Sequence, residues 1–204
     1  MTQIQNLFEI IADGLADKGY ALVDGFLSET EVADILTIGL FQEEHLKKAG
    51  IGKENKQINA GIRGDFIQWI DKATAPTPIK KYTDTLDELR LFLNQSLYLS
   101  LKDYEVHLAM YPAGSFYKRH LDQFKSDDHR KLSVILYLNQ NWGESHGGHL
   151  RMYLENEVQD FLPIAGRLIC FRSDMIEHEV LPATRERKSI TGWMLDQLAD
   201  LRHI

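Results

Sequence analysis

A chain of 204 residues with 44% hydrophobic, 26% charged and 10% aromatic side chains, 14 Gly and 5 Pro lies within the range of ordinary globular domains, which excludes disordered, collagenous and repeat-array architectures. Its formal charge of −7 argues against binding that depends on neutralising phosphates, so no nucleic-acid partner is expected. The single cysteine, Cys170, leaves no internal disulfide and sits in the apolar run Leu168-Ile169-Cys170-Phe171, as a buried thiol in a reducing compartment would.

The N-terminus lacks the basic start of a signal peptide, and its apolar residues Ile4, Leu7, Phe8, Ile11 and Leu15 recur at helical spacing. No apolar stretch approaches the ~20 residues that span a bilayer. A soluble cytoplasmic chain without a membrane partner is expected. A chain of this size buries roughly 70% of its unfolded surface, which favours one domain over residues 1–204. That domain divides into a helix-rich support over about 1–103 and a β-rich core over about 104–204.

After the first helix, Tyr20 to Phe26 reads as a short strand. Ser28-Glu-Thr-Glu31 is a capping box ahead of Val32, Ile35, Leu36 and Ile38, and predicts a second helix running to about Lys48. Residues 49–64 carry glycines at 50, 52, 61 and 64 with little periodicity, and read as a long mobile loop of the kind that often serves as a lid. Asp65 to Ile70 is strand-like, and beyond Pro76-Thr-Pro78 the segment Ile79 to about Leu101 has helical spacing. From Tyr104 the pattern changes to short runs, Val106–Met110, Leu132–Leu138, Leu150–Leu154, Arg167–Phe171 and Ser189–Met194, separated by turn residues. That spacing predicts an antiparallel sandwich or barrel, and with the preceding helices an α+β fold.

His120-Leu-Asp122 places an imidazole and a carboxylate on one face of an extended segment. With 8 His and 16 Asp in the chain, one such pair is expected about 0.6 times by chance, so alone it decides nothing. His178 lies 56 residues beyond Asp122, and Arg187 follows 9 residues later at the head of an alternating run. Two His and one carboxylate make a facial triad suited to Fe(II), and an arginine fork suits a carboxylate ligand. Period 2 puts Arg187, Ser189, Thr191 and Trp193 on one face, a polar wall unlike a dry core. It also puts Ser133, Ile135 and Tyr137 opposite the apolar set Leu132, Val134, Leu136 and Leu138. His146-Gly-Gly-His149 is a weaker metal hint, because no matching carboxylate or cysteine completes it. Lys118, Arg119, Lys125, Arg130 and Lys131 form either a solvated mixed-charge loop or a basic rim, and Trp69 reads as core.

Several motifs together resemble the Fe(II)- and 2-oxoglutarate-dependent oxygenases, and within them the oxygen-sensing type of prolyl 4-hydroxylase. They are Tyr111-Pro-Ala-Gly-Ser-Phe-Tyr-Lys-Arg-His-Leu-Asp122, Ile135-Leu-Tyr-Leu-Asn139 with Trp142, Gly147-Gly-His-Leu-Arg151, His178-Glu-Val-Leu-Pro-Ala183 and Arg187-Lys-Ser-Ile-Thr-Gly-Trp193. Ile62-Arg-Gly-Asp-Phe-Ile-Gln-Trp69 resembles that group's substrate-covering loop and the strand after it. The resemblance implies a double-stranded β-helix, the cupin-like jelly roll, with N-terminal supporting helices. It implies Fe(II) on His120, Asp122 and His178, and 2-oxoglutarate held by Arg187 with Tyr137, Thr191 and Tyr111. O2 would be the oxidant, with ascorbate as a supporting reductant. Arg63, Asp65, Arg130 and Trp193 match positions that engage a peptide substrate. The compact bacterial branch of the family acts on elongation factor Tu, so the resemblance implies a monomeric enzyme that hydroxylates a prolyl residue of that protein and releases succinate and CO2. The alternatives are oxidation of a small molecule or free amino acid, and a non-catalytic metal-binding jelly roll acting as a sensor.

Overall fold

The computed structural model describes residues 2–42, 45–50, 61–123 and 128–199. Helix α1 (Gln3–Lys18) starts at a Thr2–Gln5 capping box and ends at Gly19 in the left-handed region (φ 76°). It buries Phe8, Ile11, Ala12 and Leu15, the face expected from their spacing. Strand β1 (Tyr20–Val23) leads to helix α2 (Glu29–Thr37), whose Ser28–Glu31 capping box forms as the sequence predicts.

The expectation that α2 runs to about Lys48 is corrected. The helix stops at Thr37, and Gly39 follows its C-cap at φ 76°, a conformation that ends helices and suits a residue without Cβ. Lys47–Lys48 is instead strand β2, antiparallel to β3 (Phe66–Trp69). The mobile loop expected over 49–64 falls chiefly on 51–60, outside the described residues. Its described ends are tied down: Ala49 N–H donates to Asp65 O, Gly64 N–H to Phe116 O and Lys118 N–H to Ile62 O.

Helix α3 (Thr77–Leu97) closes the first half. The remaining strands are β4 (Asp103–Tyr111), β5 (Tyr117–His120), β6 (Arg130–Tyr137), β7 (Leu150–Tyr153), β8 (Val158–Phe161), β9 (Leu168–Arg172), β10 (Glu177–Val180) and β11 (Arg187–Leu195). Among the described residues they form a seven-stranded sheet, β1-β9-β6-β11-β4-β3-β2, and a four-stranded sheet, β5-β10-β7-β8. Every named pairing is antiparallel. This is the expected jelly roll.

Strand parity separates two cores across the large sheet. Leu132, Val134, Leu136 and Leu138 join Val106, Leu108, Ile190 and Met194 against the apolar faces of α1 and α3. Ile135, Tyr137, Ala109, Tyr111, Ile169 and Phe171 point the other way, toward Leu150, Met152, Ile176 and Val180 of the second sheet side. The helices thus cover one face of the large sheet, and the other face is left to build a cavity against the small sheet. Gly192 permits close approach within the wall: a Cβ there would lie 2.4 Å from both Glu105 O and Val106 Cγ1.

Candidate active site

Antiparallel pairing of β5 with β10 sets His120 directly opposite His178. Asp122 lies two residues beyond His120, so its carboxylate reaches the same point. Asp122 Oδ1 is 3.4 Å from His120 Nε2, and Oδ2 is 3.6 Å from His178 Nε2. Candidate ligand atoms of the three residues lie within 4.8 Å of one another. No other group of three His, Cys, Asp or Glu among the described residues meets this criterion.

The surroundings prepare these atoms for a cation. His120 Nδ1 is 2.7 Å from Lys118 O and His178 Nδ1 is 3.1 Å from Ile176 O. Each Nδ1–H donates to a carbonyl and leaves the Nε2 lone pair facing Asp122. Burial pushes His178 down to about 4 against the pull of Asp122, so at neutral pH it is an unprotonated ligand. Burial alone would raise Asp122, but His178, His120 and the Ser133 hydroxyl hold it well below the usual carboxylate range. Ser133 Oγ donates to Asp122 Oδ2 at 2.6 Å and meets Ser173 Oγ at 2.9 Å. The Tyr117 ring stacks on His120 with centroids 3.6 Å apart. Two imidazoles and one carboxylate, each oriented from behind, fit Fe(II).

The same cavity is lined by Arg187, Tyr111 and Thr191. Arg187 is 2% exposed, and its Nε donates to Gly148 O at 2.9 Å. Its guanidinium carbon lies 5.2 Å and 5.0 Å from the Tyr111 and Tyr137 ring centres. Arg187 Nη2 and Tyr137 Oη are both buried without a hydrogen-bond partner among the described residues. An unmet cationic donor beside an unmet phenol in a buried site fits a carboxylate, the group that 2-oxoglutarate presents at its far end. Thr191 Oγ1 lies 3.1 Å from Ser189 Oγ.

The residues matched to substrate engagement divide. Trp193 and Arg63 line the cavity. Arg63 is committed to Asp65 by two hydrogen bonds of 2.6 and 2.9 Å, and Asp65 is fully buried. Arg130 lies over the Trp193 ring at 3.6 Å and donates to Glu105 at 2.8 Å. Trp69, expected in the core, packs against the core cluster on the cavity side of the sheet, with its ring on His107 and Trp193.

Arg119, Arg130 and Lys131 are paired with Glu177, Glu105 and Asp196 respectively, which favours the mixed-charge reading of that loop. Lys125 lies outside the described residues. In the weaker metal hint, His146 Nδ1 accepts from Gly143 N–H and His149 faces Glu144, so those rings are spoken for. Sequence reasoning missed Ser133 as a partner of Asp122, Tyr117 as a stack on His120, and His107. Ser133 was already on the Tyr137 face by parity, and that was the available signal.

Comparison with known proteins agrees with this geometry. Residues 106–195 match the 2OG-Fe(II) oxygenase superfamily. The chain is 31% identical to human (Homo sapiens) prolyl hydroxylase EGLN3, an alignment covering 92% of this chain and 83% of that one. It is 41% identical to a crystallised prolyl-4-hydroxylase of Pseudomonas putida, covering 93% of this chain and 99% of that one with a TM-score of 0.86. It is 30% identical to the Trichoplax adhaerens prolyl hydroxylase solved with a peptide of the hypoxia inducible factor oxygen degradation domain, covering 95% and 91% with a TM-score of 0.87. The triad, the buried carboxylate-seeking arginine, the two-sheet fold and these likenesses converge on one conclusion: the chain belongs to the 2OG-Fe(II) oxygenase superfamily, among its prolyl hydroxylases, and is a dioxygenase that works with Fe(II) and 2-oxoglutarate.

Proposed function

We propose that this enzyme hydroxylates a prolyl residue within a protein, that elongation factor Tu is the target, and that succinate and CO2 are the co-products. The observation that carries the reading is the Arg187–Tyr137 pair, which offers Nη2 and Oη without other partners among the described residues, with Arg187 in one cavity with His120, Asp122 and His178. A polypeptide target is supported by the Trichoplax relative, which was solved with a peptide.

In this reading Fe(II), when bound, supplies the redox chemistry that couples decarboxylation of 2-oxoglutarate to oxygen insertion at the proline ring. Arg187 and Tyr137 hold the distal carboxylate of 2-oxoglutarate and so fix its orientation, and Tyr111 and Thr191 flank it. His120 and His178 keep their Nδ1 protons on backbone carbonyls, and Ser133 holds Asp122 in place. Trp193 offers an apolar ring face for the proline, and Arg130 braces that ring. Arg63, held by Asp65, shapes the cavity beside Tyr117. The mostly apolar remainder of the wall, including Ile135, Leu150 and Val180, keeps water away from the reacting groups. The free, buried Cys170 is in keeping with a reducing, cytoplasmic setting.

The test is anaerobic reconstitution with Fe(II) and 2-oxoglutarate, then O2, with succinate measured with and without a proline-containing peptide of elongation factor Tu. Peptide-dependent succinate and a +16 Da shift on the peptide are expected. Turnover of a free amino acid but not of the peptide overturns the protein target, and no succinate under any condition overturns the reaction. Asp122→Ala should abolish iron binding.

A further inference from the structure

One polar side chain in the cavity is used by neither the triad nor the Arg187 group. His107 sits in β4, opposite Thr191 of β11 on one side and Trp69 of β3 on the other. It is 1% exposed. Its ring centre lies 5.0 Å from that of Trp69 and 5.4 Å from that of Trp193, and it lines the same cavity as His120, Asp122 and His178. Neither ring nitrogen has a hydrogen-bond partner among the described residues. A buried donor or acceptor left unmet costs more than a made hydrogen bond returns. An apolar side chain of similar size would fill this aromatic slot without that cost. An imidazole here therefore asks for a ligand.

The ring keeps one N–H and one lone pair. Burial, with Arg63 and Arg130 adding to it, holds His107 well below the usual imidazole range despite the opposing pull of Asp122. Register then says which part of a ligand it meets. Along β11, Arg187 stands opposite Tyr111 and Thr191 opposite His107, so His107 is four strand positions from the arginine end, about 13 Å along the strand. Asp122 is tied to Ser133, which pairs with Trp193, two positions further on. His107 thus lies toward the triad end of the cavity, between Arg187 and the Ser133 anchor of Asp122. A ligand stretched between the triad and Arg187 presents its triad-side end there, and in 2-oxoglutarate that end carries only acceptor oxygens, those of the 2-oxo and 1-carboxylate groups.

We propose that His107 is a further cosubstrate-binding residue, whose ring N–H donates a hydrogen bond to the triad-side end of 2-oxoglutarate. The inference rests on 2-oxoglutarate spanning the triad and Arg187, and it does not depend on which protein is hydroxylated.

The test titrates 2-oxoglutarate into the full chain loaded anaerobically with Fe(II), following the visible charge-transfer band and the thermal midpoint. His107→Leu should weaken 2-oxoglutarate binding about tenfold, because a hydrogen bond to a charged group is lost. His107→Gln, which keeps an N–H donor, should stay within about threefold of wild type. Without 2-oxoglutarate, the midpoint of His107→Leu should equal or exceed that of wild type, since two unmet nitrogens are gone. His107→Met serves as the apolar variant if the leucine chain does not fold. Wild-type affinity in the apolar variant overturns the proposal, as does equal loss of affinity and midpoint in the apolar and glutamine variants, the pattern of a packing role. A wild-type chain that gives no band with 2-oxoglutarate overturns the placement of the cosubstrate itself, and the proposal with it.

Discussion

Ser133→Ala isolates the contribution of a residue that would not itself bind the metal but holds a side chain that would. Ser133 is fully buried, and its Oγ donates to Asp122 Oδ2 at 2.6 Å. The same oxygen meets Ser173 Oγ at 2.9 Å, so removing it also strands a second buried hydroxyl. A hydrogen bond to a charged group is worth about 1.5–3 kcal/mol, and a stranded buried polar group costs about 1–3 kcal/mol. Loss of a partner that orients a metal ligand typically lowers metal affinity by about 10–100-fold. Ser173→Ala provides the comparison, because among the described residues Ser173 reaches Asp122 through Ser133, and its loss should cost about 1 kcal/mol. Anaerobic competition of Fe(II) between the protein and a chromophoric chelator measures the affinities. The expected order is wild type, then Ser173→Ala, then Ser133→Ala. A Ser133→Ala affinity within about twofold of wild type, or one matched by Ser173→Ala, would refute the reasoning.

Arg187→Lys keeps the charge but loses the planar fork, and should weaken 2-oxoglutarate binding by about tenfold or more in the same band titration; unchanged binding would move the carboxylate elsewhere. Asp65→Ala leaves the Arg63 guanidinium buried without its counter-charge, which should cost about 3–5 kcal/mol in urea unfolding, and a loss under about 1 kcal/mol would mean that Arg63 finds another partner. In the metal-free chain, His178 takes a proton only at about 4 when folded but near 6.5 when unfolded. Acid therefore favours the unfolded state in between: stability should be full above about 6.5 and fall by about 3 kcal/mol as pH drops to about 4. His178→Phe should flatten that window, and parallel curves for the two chains would count against it. Gly192→Ala forces a Cβ to within 2.4 Å of Glu105 O, so β11 must move away from β4, with a loss of about 1–3 kcal/mol and a midpoint lower by several degrees; an unchanged midpoint contradicts this.

Much of this architecture was legible because local signals agreed with the final packing. The Ser28–Glu31 box begins α2 where expected, and alternation along β6 and β11 assigns each side chain to the correct face of the sheet. What the sequence did not reveal depends on partners distant in the chain. The segments Tyr117–His120, Val158–Phe161 and Glu177–Val180 are short and polar, and are strands only because a neighbouring strand is paired to them. Lys47–Lys48 owes its strand to β3 in the same way, while Val32 to Ile38 carried the helical pattern up to the glycine that stops it. In the site, the triad and Arg187 were visible as chemistry at telling spacings. His107 and Tyr117 were not, since nothing local distinguishes an imidazole caged by Trp69 and Trp193 or a tyrosine lying on a metal ligand from ordinary residues of a strand.

The large sheet also has a bearing on the lone thiol. Ile169 and Phe171 face the cavity, whereas Cys170 between them joins the helix-side core, and burial pushes its thiol up to about 12. A one-residue slip of β9 would turn that sulfur toward the oxidising chamber. In the native register Cys170 is screened by the thickness of the sheet and holds its proton, so neither oxidant nor alkylating reagent finds a thiolate. Its rate of alkylation is then a clock for the opening of β1, β9 and β6: a built-in reporter of how often this enzyme's wall comes apart.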